Sequence, residues 1–430
     1  MTPALPLVVV YDRGAADAGE IARSLAAVAP LVFVTRHGSG HAEPLLPLLR
    51  DLGEVVTFRH TPEEVAGRLK EIGPGGITTF SESMLGVTAG LAAGLGLPGH
   101  SRDTVRLLTD KFLQRQRLNE TGAGGVTGQL LTRPGEWPGA VRHVGLPAVV
   151  KPVRGEGSRN TYRVDDATEG LALVTGLLAT EPALVLEQFL AGRASAPYGD
   201  YVSVESISCR GVVSHIAVTG KFPLLHPFRE TGQFWPAALA EEEERRVLGL
   251  AGKAIASLGI TTGLTHTEIK LTDAGPRVIE VNGRLGGYVN DLSLRSAGLD
   301  LVRLAGQVAL GEAVVAPPVT HGRVVFQYSN QAPPHPCRLD AVTGRRQLRD
   351  TTGITGYRAL VRPGTCVEGG AMTRDLDLIL GEARDHAGMF AVRDEALRRL
   401  SFTFTPAGSP TPVEVAAPRL PSLGASWVQA

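Results

Sequence analysis

Cysteine is scarce in this chain of 430 residues, which has only three. Cys209, Cys337 and Cys366 lie far apart and form neither a CxxC pair nor a cluster with histidine. This spacing argues against a zinc site and against a disulfide framework. Isolated free thiols are typical of a reducing compartment, so we predict a cytoplasmic protein.

A net charge and long hydrophobic runs are also missing. Lys plus Arg and Asp plus Glu each number 43, so no overall field favours nucleic acid or an anionic membrane as a partner. The longest uncharged stretch, residues 83–99, is too short and too rich in glycine to span a membrane, and we predict a buried helix and a turn there. The first apolar run follows no basic region, which indicates a strand and not a secretory signal.

Short β-branched runs alternate with helical patterns over the first hundred residues. The predicted strands cover residues 7–11, 31–35, 55–58 and 77–80, and the helical patterns lie near residues 18–28, 43–52 and 62–72. This alternation predicts a doubly wound α/β domain with a parallel sheet. No GxGxxG motif follows the first strand, so a dinucleotide site is not indicated.

The remaining chain has an α+β pattern. We predict one helix capped by Ser101 within residues 96–122 and a final frayed tail over 419–430. The other predicted elements are strands flanking a glycine loop at 147–164, strands at 184–190 and 201–222, a helix at 240–258, a hairpin at 264–282, and helices near 298–310 and at 375–386. The predicted domain ranges are 1–100, 101–190, 191–312, 313–418 and the tail 419–430.

The hairpin 264–282 carries the strongest chemical signal. A turn near Ala274 predicts an antiparallel register that pairs Glu268 with Glu280 and His266 with Asn282 on one face. Like charges directly opposite each other destabilise a sheet, whereas two carboxylates and an amide suit Mg²⁺ alongside substrate phosphates. The alternative is a solvated polar face.

The same register predicts the two other features of the hairpin. Lys270 joins the polar face, and the opposite face pairs Ile269 with Ile279 and Thr267 with Val281 as core.

Residues that could bind anions occur on both sides of this hairpin in the sequence. Arg284 follows it directly in NGRLGG, where a guanidinium could hold a carboxylate or a phosphate with two hydrogen bonds. Lys151 ends a buried strand, where an unpaired lysine is costly unless it meets an anion. The loop 154–159 then offers small residues and backbone N–H groups that could cradle phosphate.

Taken in order, these segments resemble the ATP-grasp superfamily and, within it, carboxylate–amine ligases such as the bacterial L-amino-acid ligases. The likeness covers residues 75–310 best, and the region after 312 resembles the extra lobe of those ligases more loosely. The matching segments are LGLPGHS, TDKF, VVKP with its glycine loop, VLEQFLAG and THTEIK…VIEVNGRLGG. The implied fold combines a Rossmann-like N-terminal domain with a doubly wound parallel sheet, a central lid subdomain, and a C-terminal ATP-grasp core with an accessory α+β lobe.

The resemblance also implies roles for individual residues. For the nucleotide these are Lys111 and Lys151 on the phosphates, Gly155, Gly157 and Ser158 as a lid, Glu187 with Phe189 and Leu190 at adenine, and Asp200, with Glu205 as rival, at ribose. For the metal they are Glu268, Glu280 and Asn282, holding two Mg²⁺ ions, with Mn²⁺ as an alternative ion. For catalysis and substrate they are Arg284 and Lys151, together with Lys221, His266, Gly287 and the segment 226–236. His37 and His41 could also face a ligand.

The implied activity is ATP-dependent amide formation through an acyl phosphate, on small acids and amines of the amino-acid type. Specificity would come from loops within 226–236 and 284–295, and a homodimer is compatible with the resemblance. The alternatives are an ATP-grasp carboxylase that uses bicarbonate, for which a biotin-acceptor lysine motif is missing, and a nucleotide-binding protein without turnover.

Overall fold

The N-terminal region of the computed structural model, which describes residues 4–317, 319 and 321–423, is a parallel sheet with helices. Its strands are β1 (Leu7–Val10), β2 (Leu31–Arg36), β3 (Glu54–Phe58) and β4 (Gly76–Thr78), in the order β3-β2-β1-β4. Its helices are α1 (Ala18–Leu25), α2 (Leu46–Leu52), α3 (Ala66–Ile72) and α4 (Leu85–Leu95). The predicted parallel sheet is confirmed, and a helix and a turn lie within 83–99 as predicted, but α4 is only partly buried; it ends at the left-handed Gly96.

Two helices follow where one was predicted. They are α5 (Arg102–Thr109) and α6 (Lys111–Glu120). Ser101 caps α5 as predicted, but Asp110 is extended and its side chain accepts a hydrogen bond from the Leu113 N–H, which starts a new helix. The break places Lys111 at the first position of α6.

The next region is a four-stranded antiparallel sheet that we call the lid sheet, with the order β5-β8-β6-β7. Its elements are β5 (Gly128–Leu131), α7 (Trp137–Val144), β6 (Ala148–Pro152), β7 (Tyr162–Val164), α8 (Ala167–Leu178) and β8 (Leu184–Gln188). Trp137, Val150 and Leu186 pack in the core between the sheet and its helices. The predicted strands on either side of the glycine loop are confirmed.

The central region contributes most of an eight-stranded sheet. Its elements are β9 (Tyr201–Cys209), β10 (Val212–Lys221), β11 (Gly232–Trp235), α9 (Glu241–Ser257), β12 (Gly263–Thr272), β13 (Gly275–Asn282), α10 (Val289–Ala297) and α11 (Leu301–Ala309). The strand order is β13-β12-β9-β10-β11, followed by three strands from the C-terminal region. Helix α10 was not predicted, and it occupies much of the segment 284–295 that was expected to be a loop.

The C-terminal region extends that sheet and adds a smaller one. Its elements are β14 (Val324–Tyr328), β15 (Cys337–Thr343), α12 (Arg345–Arg349), β16 (Ile354–Ala359), β17 (Cys366–Val367), β18 (Asp377–Ala383), α13 (His386–Arg398), β19 (Ser401–Pro406) and β20 (Val413–Ala416). The large sheet continues with β14-β18-β16, and the smaller one has the order β17-β15-β19-β20.

Two predictions for the C-terminal region are wrong. The helix predicted at 375–386 is largely strand β18, because Leu378, Ile379 and Leu380 are buried between β14 and β16. The first residues of the predicted frayed tail are ordered in a short 3₁₀ helix, Ala417–Ser422, with Leu420 buried. Residues 424–430 of that tail lie outside the described residues. Within the described part of the chain, no helix is long and apolar enough to cross a membrane.

Candidate active site

A cavity of about 460 Å³ lies between the lid sheet, the hairpin β12–β13, the N-terminal domain and the C-terminal region. Nearly all of the predicted site residues line it, although they come from segments up to 176 positions apart, from Lys111 to Gly287. These residues are Lys111, Lys151, Gly155, Gly157, Ser158, Glu187, Phe189, Leu190, Lys221, His266, Glu268, Glu280, Asn282, Arg284 and Gly287. The exceptions are Asp200, its rival Glu205, and the histidines His37 and His41.

The hairpin β12–β13 has the predicted register where the chemistry was expected. Glu268 lies opposite Glu280, and His266 lies opposite Asn282. A bulge follows, so Ile269 pairs with Val278, and the predicted Ile269–Ile279 pair is wrong. The extra residue of a bulge leaves the ladder, and Ile279 lines the cavity instead of joining the core face.

The negative charges of Glu268 and Glu280 have different neighbours. Glu280 accepts a hydrogen bond from the Lys111 Nζ at 2.6 Å. The same Nζ donates at 2.8 Å to the carbonyl oxygen of Gly155 in the loop between β6 and β7, residues 153–161, which we call the lid loop. Burial opposes the charge of Lys111, but Glu280 outweighs it and raises the pKa of that ammonium. Burial and then the neighbouring Glu230 raise the pKa of Glu268. A divalent cation would relieve this repulsion.

The donors fit a magnesium ion that shares its coordination with a substrate. Among the described residues, no group of three or more His, Cys, Asp or Glu side chains is gathered around a metal site. Mg²⁺ usually binds through one or two carboxylates together with substrate phosphates and waters, and it prefers oxygen donors. Glu268, Glu280 and the amide of Asn282 supply that set.

Lys151 is held by a buried ion-pair network on the lid sheet. Its Nζ lies 2.7 Å from Glu187 Oε2, and Arg115 Nε lies 3.0 Å from Glu187 Oε1. Burial raises the pKa of Glu187, but Arg115 and Lys151 outweigh it and hold the value at about 2. Both carboxylate oxygens therefore already contact cations, which gives Glu187 a positioning role beside the predicted contact with adenine.

Arg115 extends this network to the hairpin, and it was not among the predicted site residues. Its guanidinium donates to the carbonyl oxygens of Val278 and Ile279, at 2.9 and 2.7 Å. Because these residues form the bulge, Arg115 fixes the hairpin relative to the lid sheet. An arginine within a helix gives no sequence signal for such a task.

A second buried network links Glu205 through His266 to Glu268, one of the two opposed carboxylates. Glu205 is only 1% exposed and accepts hydrogen bonds from Ser203, Thr219 and His266 Nδ1, the last at 2.9 Å. The His266 Nε2 lies 3.7 Å from Glu268 Oε1. Glu205 therefore orients His266 from behind and does not line the cavity.

The other candidates outside the cavity lining have partners elsewhere. Asp200 pairs with Lys270 at 2.7 Å, and Lys270 lines the cavity. His41 lies beside Tyr11 in the N-terminal domain, 3.3 Å from its hydroxyl, and His37 is exposed next to Glu43.

Arg284 links three parts of the molecule. Its guanidinium lies 3.3 Å from Glu82 Oε2 of the N-terminal domain and 3.4 Å from Glu156 Oε2 of the lid loop. Burial raises the pKa of the Glu82 carboxyl, and Arg284 opposes that effect. Sequence reasoning missed Glu82, because nothing in the segment after β4 marks it as part of this site.

The cavity also has a distal end, by which we mean the lining residues from the loop after β1, the segment before β11, the start of α10 and the loop before β18, and sequence reasoning did not single these residues out. They are Arg13, Glu230, Tyr288 and Asp375, and the apolar residues Leu224, Phe228, Met372 and Leu378, which we call the apolar wall, line the same cavity. Glu230 belongs to the predicted substrate segment 226–236. Arg13 follows β1 at the point where the strand order reverses between β1 and β4, which is where ligands bind in doubly wound sheets.

Sequence comparison relates the chain to amide-forming ligases. It is 27% identical to the alanine–anticapsin ligase of Bacillus subtilis strain 168 over 261 residues, which are 56% of this chain and 55% of that protein. It is 30% identical to human carnosine synthase 1 over 260 residues, which are 55% of this chain and 31% of that protein. The matches thus span about half and about a third of these relatives. No protein-family model matches the chain.

Comparison of structures extends the likeness to nearly the whole chain. The L-amino acid ligase of Bacillus licheniformis superposes with a TM-score of 0.76 at 21% identity, over 93% of this chain and 98% of that one. The biotin carboxylase domain of a Hydrogenobacter thermophilus 2-oxoglutarate carboxylase, solved with MgADP, ADP and bicarbonate, gives 0.67 at 14% identity, over 94% and 92%. At these identities the likeness shows that the fold is shared.

Proposed function

Because the chain has the ATP-grasp fold and is related in sequence to carboxylate–amine ligases, we propose that it is an ATP-dependent ligase that joins a carboxylic acid to an amine. ATP is cleaved to ADP and phosphate, and the acid and the amine become an amide. The observation that carries this proposal is the opposed pair Glu268 and Glu280, which shares one cavity with Lys111, Lys151 and Arg284.

The nucleotide would lie between the lid sheet and the hairpin. Lys111 and Lys151 are placed to neutralise its phosphates, and the loop containing Gly155 and Gly157 would cover them. Adenine would pack against the apolar side chains of Val126, Val149 and Ile279, next to the backbone of Phe189 and Leu190.

Glu268, Glu280 and Asn282 would hold the nucleotide's Mg²⁺. When bound, the ion would neutralise phosphate charge that builds up during transfer. We propose two such ions, with Mn²⁺ as a substitute; the ADP-bound structure of a protein with this fold supports the presence of the metal.

The reaction would proceed in two displacements. A carboxylate oxygen of the acid attacks the γ-phosphorus, the bond to the ADP oxygen breaks, and an acyl phosphate forms. The amine nitrogen then attacks the acyl carbon, phosphate leaves with the bonding electrons, and the amine loses a proton. Arg284 would steady the transferred group, since catalysis here consists mainly of positioning and charge neutralisation.

Contacts across the cavity would exclude water from the acyl phosphate. The Asn160 N–H of the lid loop donates to the Ala371 carbonyl oxygen, and the Thr373 N–H donates to the Gly157 carbonyl oxygen, both at 2.8 Å. The C-terminal region therefore holds the lid loop over the site, and exclusion of water protects a hydrolysable intermediate.

A screen of amino-acid pairs with Mg-ATP tests this proposal, with ADP and condensation products measured together by mass spectrometry. An acid labelled with ¹⁸O in its carboxylate should give labelled phosphate in step with amide. ADP formed without amide would contradict the proposal. Dependence of ADP on bicarbonate alone would favour a carboxylase, whose fold the chain shares.

A further inference from the structure

Asp375 is an acidic residue of the cavity that neutral neighbours hold in place. It lies between β17 and β18 in the C-terminal region and lines the distal end of the cavity. Its Oδ1 accepts a hydrogen bond from the Gln331 Nε2 at 2.5 Å, while the Gln331 Oε1 accepts one from the backbone N–H of Arg374 at 2.8 Å. Gln331 thus fixes both the backbone and the side chain at this position.

Asp375 differs from the other acids of the cavity because it lacks a cationic partner. Glu280, Glu187 and Glu230 lie 2.6, 2.7 and 3.7 Å from Lys111, Lys151 and Lys221 respectively. No lysine, arginine or histidine nitrogen among the described residues lies within 4.0 Å of Asp375, whose partners are neutral. A carboxylate at a partly desolvated site is costly without a cation, so a ligand is expected to supply one.

The charged groups around Asp375 do not supply the cation that its carboxylate lacks. Glu230 repels its charge, and Arg13, which also lines the cavity, attracts it without forming an ion pair within 4.0 Å. Burial, reinforced by Glu230, raises the pKa of Asp375 to about 6. The carboxylate is therefore ionised at neutral pH and available to a cation in the cavity.

The loop that carries Asp375 is also hydrogen-bonded to the substrate segment 226–236 and to the lid loop. The Thr373 Oγ1 accepts a hydrogen bond from the backbone N–H of Glu230 at 3.0 Å, and its own N–H donates to the lid-loop carbonyl of Gly157. A ligand bound at Asp375 would therefore lie between the substrate segment and the lid. The residues of the apolar wall line the same cavity, with Met372 and Leu378 three positions on either side of Asp375 in the chain and Leu224 and Phe228 shortly before Glu230.

We infer that Asp375 binds the ammonium group of an α-amino acid with an apolar side chain, and that this amino acid is the acid which the enzyme activates. The ammonium cation satisfies the unpaired carboxylate, and the apolar wall receives the side chain. The assignment of the activated acid rests on the proposed function, whereas the ammonium contact does not. A simple carboxylic acid of the same shape would leave Asp375 unpaired and be rejected.

Equilibrium binding tests this site without requiring turnover. The full chain is loaded with Mg²⁺ and a non-hydrolysable ATP analogue, and calorimetry measures the Kd of L-leucine and of 4-methylpentanoate, which is leucine without its amino group. Asp375→Asn should weaken leucine binding about 100-fold, the usual scale for removing one partner of a desolvated charge pair. It should leave 4-methylpentanoate and the nucleotide within about twofold, because neither uses the ammonium contact.

Two variants keep the result interpretable. Asp340→Asn, at a surface carboxylate paired with Arg338, is the matched control and should change nothing. Asp375→Glu restores the charge and should recover part of the leucine affinity. Equal affinity of the wild type for leucine and 4-methylpentanoate, no leucine binding at all, or an unchanged Kd in Asp375→Asn would each overturn the inference.

Failure of the proposed function would look different. One outcome is that leucine binds in a way that depends on Asp375 while the wild type forms ADP without amide. That result would support the ammonium site and contradict the ligase function. Amide formation from leucine and 4-methylpentanoate at equal rates would support the ligase function and contradict the ammonium site at Asp375.

Discussion

The two ends of the cavity differ in how their charges are balanced. At the nucleotide end, Lys111, Lys151 and Arg115 already contact Glu280 or Glu187, and burial of these pairs is compensated within the protein. At the distal end, Asp375 has only neutral partners within hydrogen-bonding distance. The first arrangement can be organised before a ligand arrives, whereas under our inference the second would be completed by the ammonium group of the substrate.

The two ends of the cavity are also built from different segments of the chain. The nucleotide end is built from α6, the lid sheet and the hairpin, whose functional residues sit in compact motifs. The distal end combines the loop after β1 with Glu230 and with Asp375 near the start of β18.

The largest effect is expected from Glu280→Gln, which breaks the nucleotide end. The substitution removes one metal carboxylate and the counterion of Lys111, so kcat for ADP formation should fall about 10³-fold, the upper range for one preorganised electrostatic contact. Steady-state kinetics checks this, with Glu414→Gln on the exposed face of β20 as the control. Activity within tenfold of wild type would contradict the assigned metal site.

Glu187→Gln should give the next largest effect. Lys151 and Arg115 would lose their shared buried counterion, which predicts about 100-fold weaker nucleotide binding and about 3 kcal/mol lower stability. Because the folded-state pKa of Glu187 is depressed to about 2, its contribution is complete above the ordinary value of 4.5 and is lost as the pH falls towards 2. Urea unfolding and nucleotide titration at pH 7 measure both quantities. Unchanged stability would mean that the three side chains are not coupled.

Leucine affinity at the distal end should depend on pH, because binding of the ammonium group requires an ionised Asp375. Since the pKa of Asp375 is raised to about 6, protonation below that pH removes the charge that binds ammonium. Leucine affinity should be constant above about pH 7 and should fall about tenfold per unit well below pH 6. The same titration of Asp375→Asn should be flat from pH 5 to 8. A parallel fall in that variant would assign the titration to Glu230 or another group.

The smallest effect is expected at the lid loop. Glu156 is about half exposed, and its ion pair with Arg284 is long, at 3.4 Å. Because such exposed pairs are weak, Glu156→Gln should change KM for ATP by less than about threefold. A change of tenfold or more would show that this contact competes with the phosphates and that the nucleotide end is less self-contained than described.

Local patterns were sufficient to predict the pairing of Glu268 with Glu280 and many of the residues that line the cavity near them. Strand alternation and a short turn determine that Glu268 faces Glu280, and motif order links them to Lys111 and Lys151. The bulge was missed because nothing in the letters around Ile279 reveals that one residue leaves the ladder.

The errors and omissions have tertiary causes. The apolar run in β18 reads equally well as helix or strand, and only its neighbours β14 and β16 decide. Arg115 and Asp375 reach the cavity, and Glu82 reaches Arg284, because distant segments pack together, so their own sequence surroundings carry no signal. Asp200 and Glu205 were considered for ribose, but the fold gives them Lys270 and His266 as partners.

The central claim is that one face of the β12–β13 hairpin holds the nucleotide's metal. A crystal structure of the protein with ADP and Mn²⁺, phased to show anomalous scattering from manganese, tests it directly. The account predicts manganese coordinated by Glu268, Glu280 and Asn282 and by the nucleotide phosphates. Manganese and ADP bound away from these three side chains would contradict it.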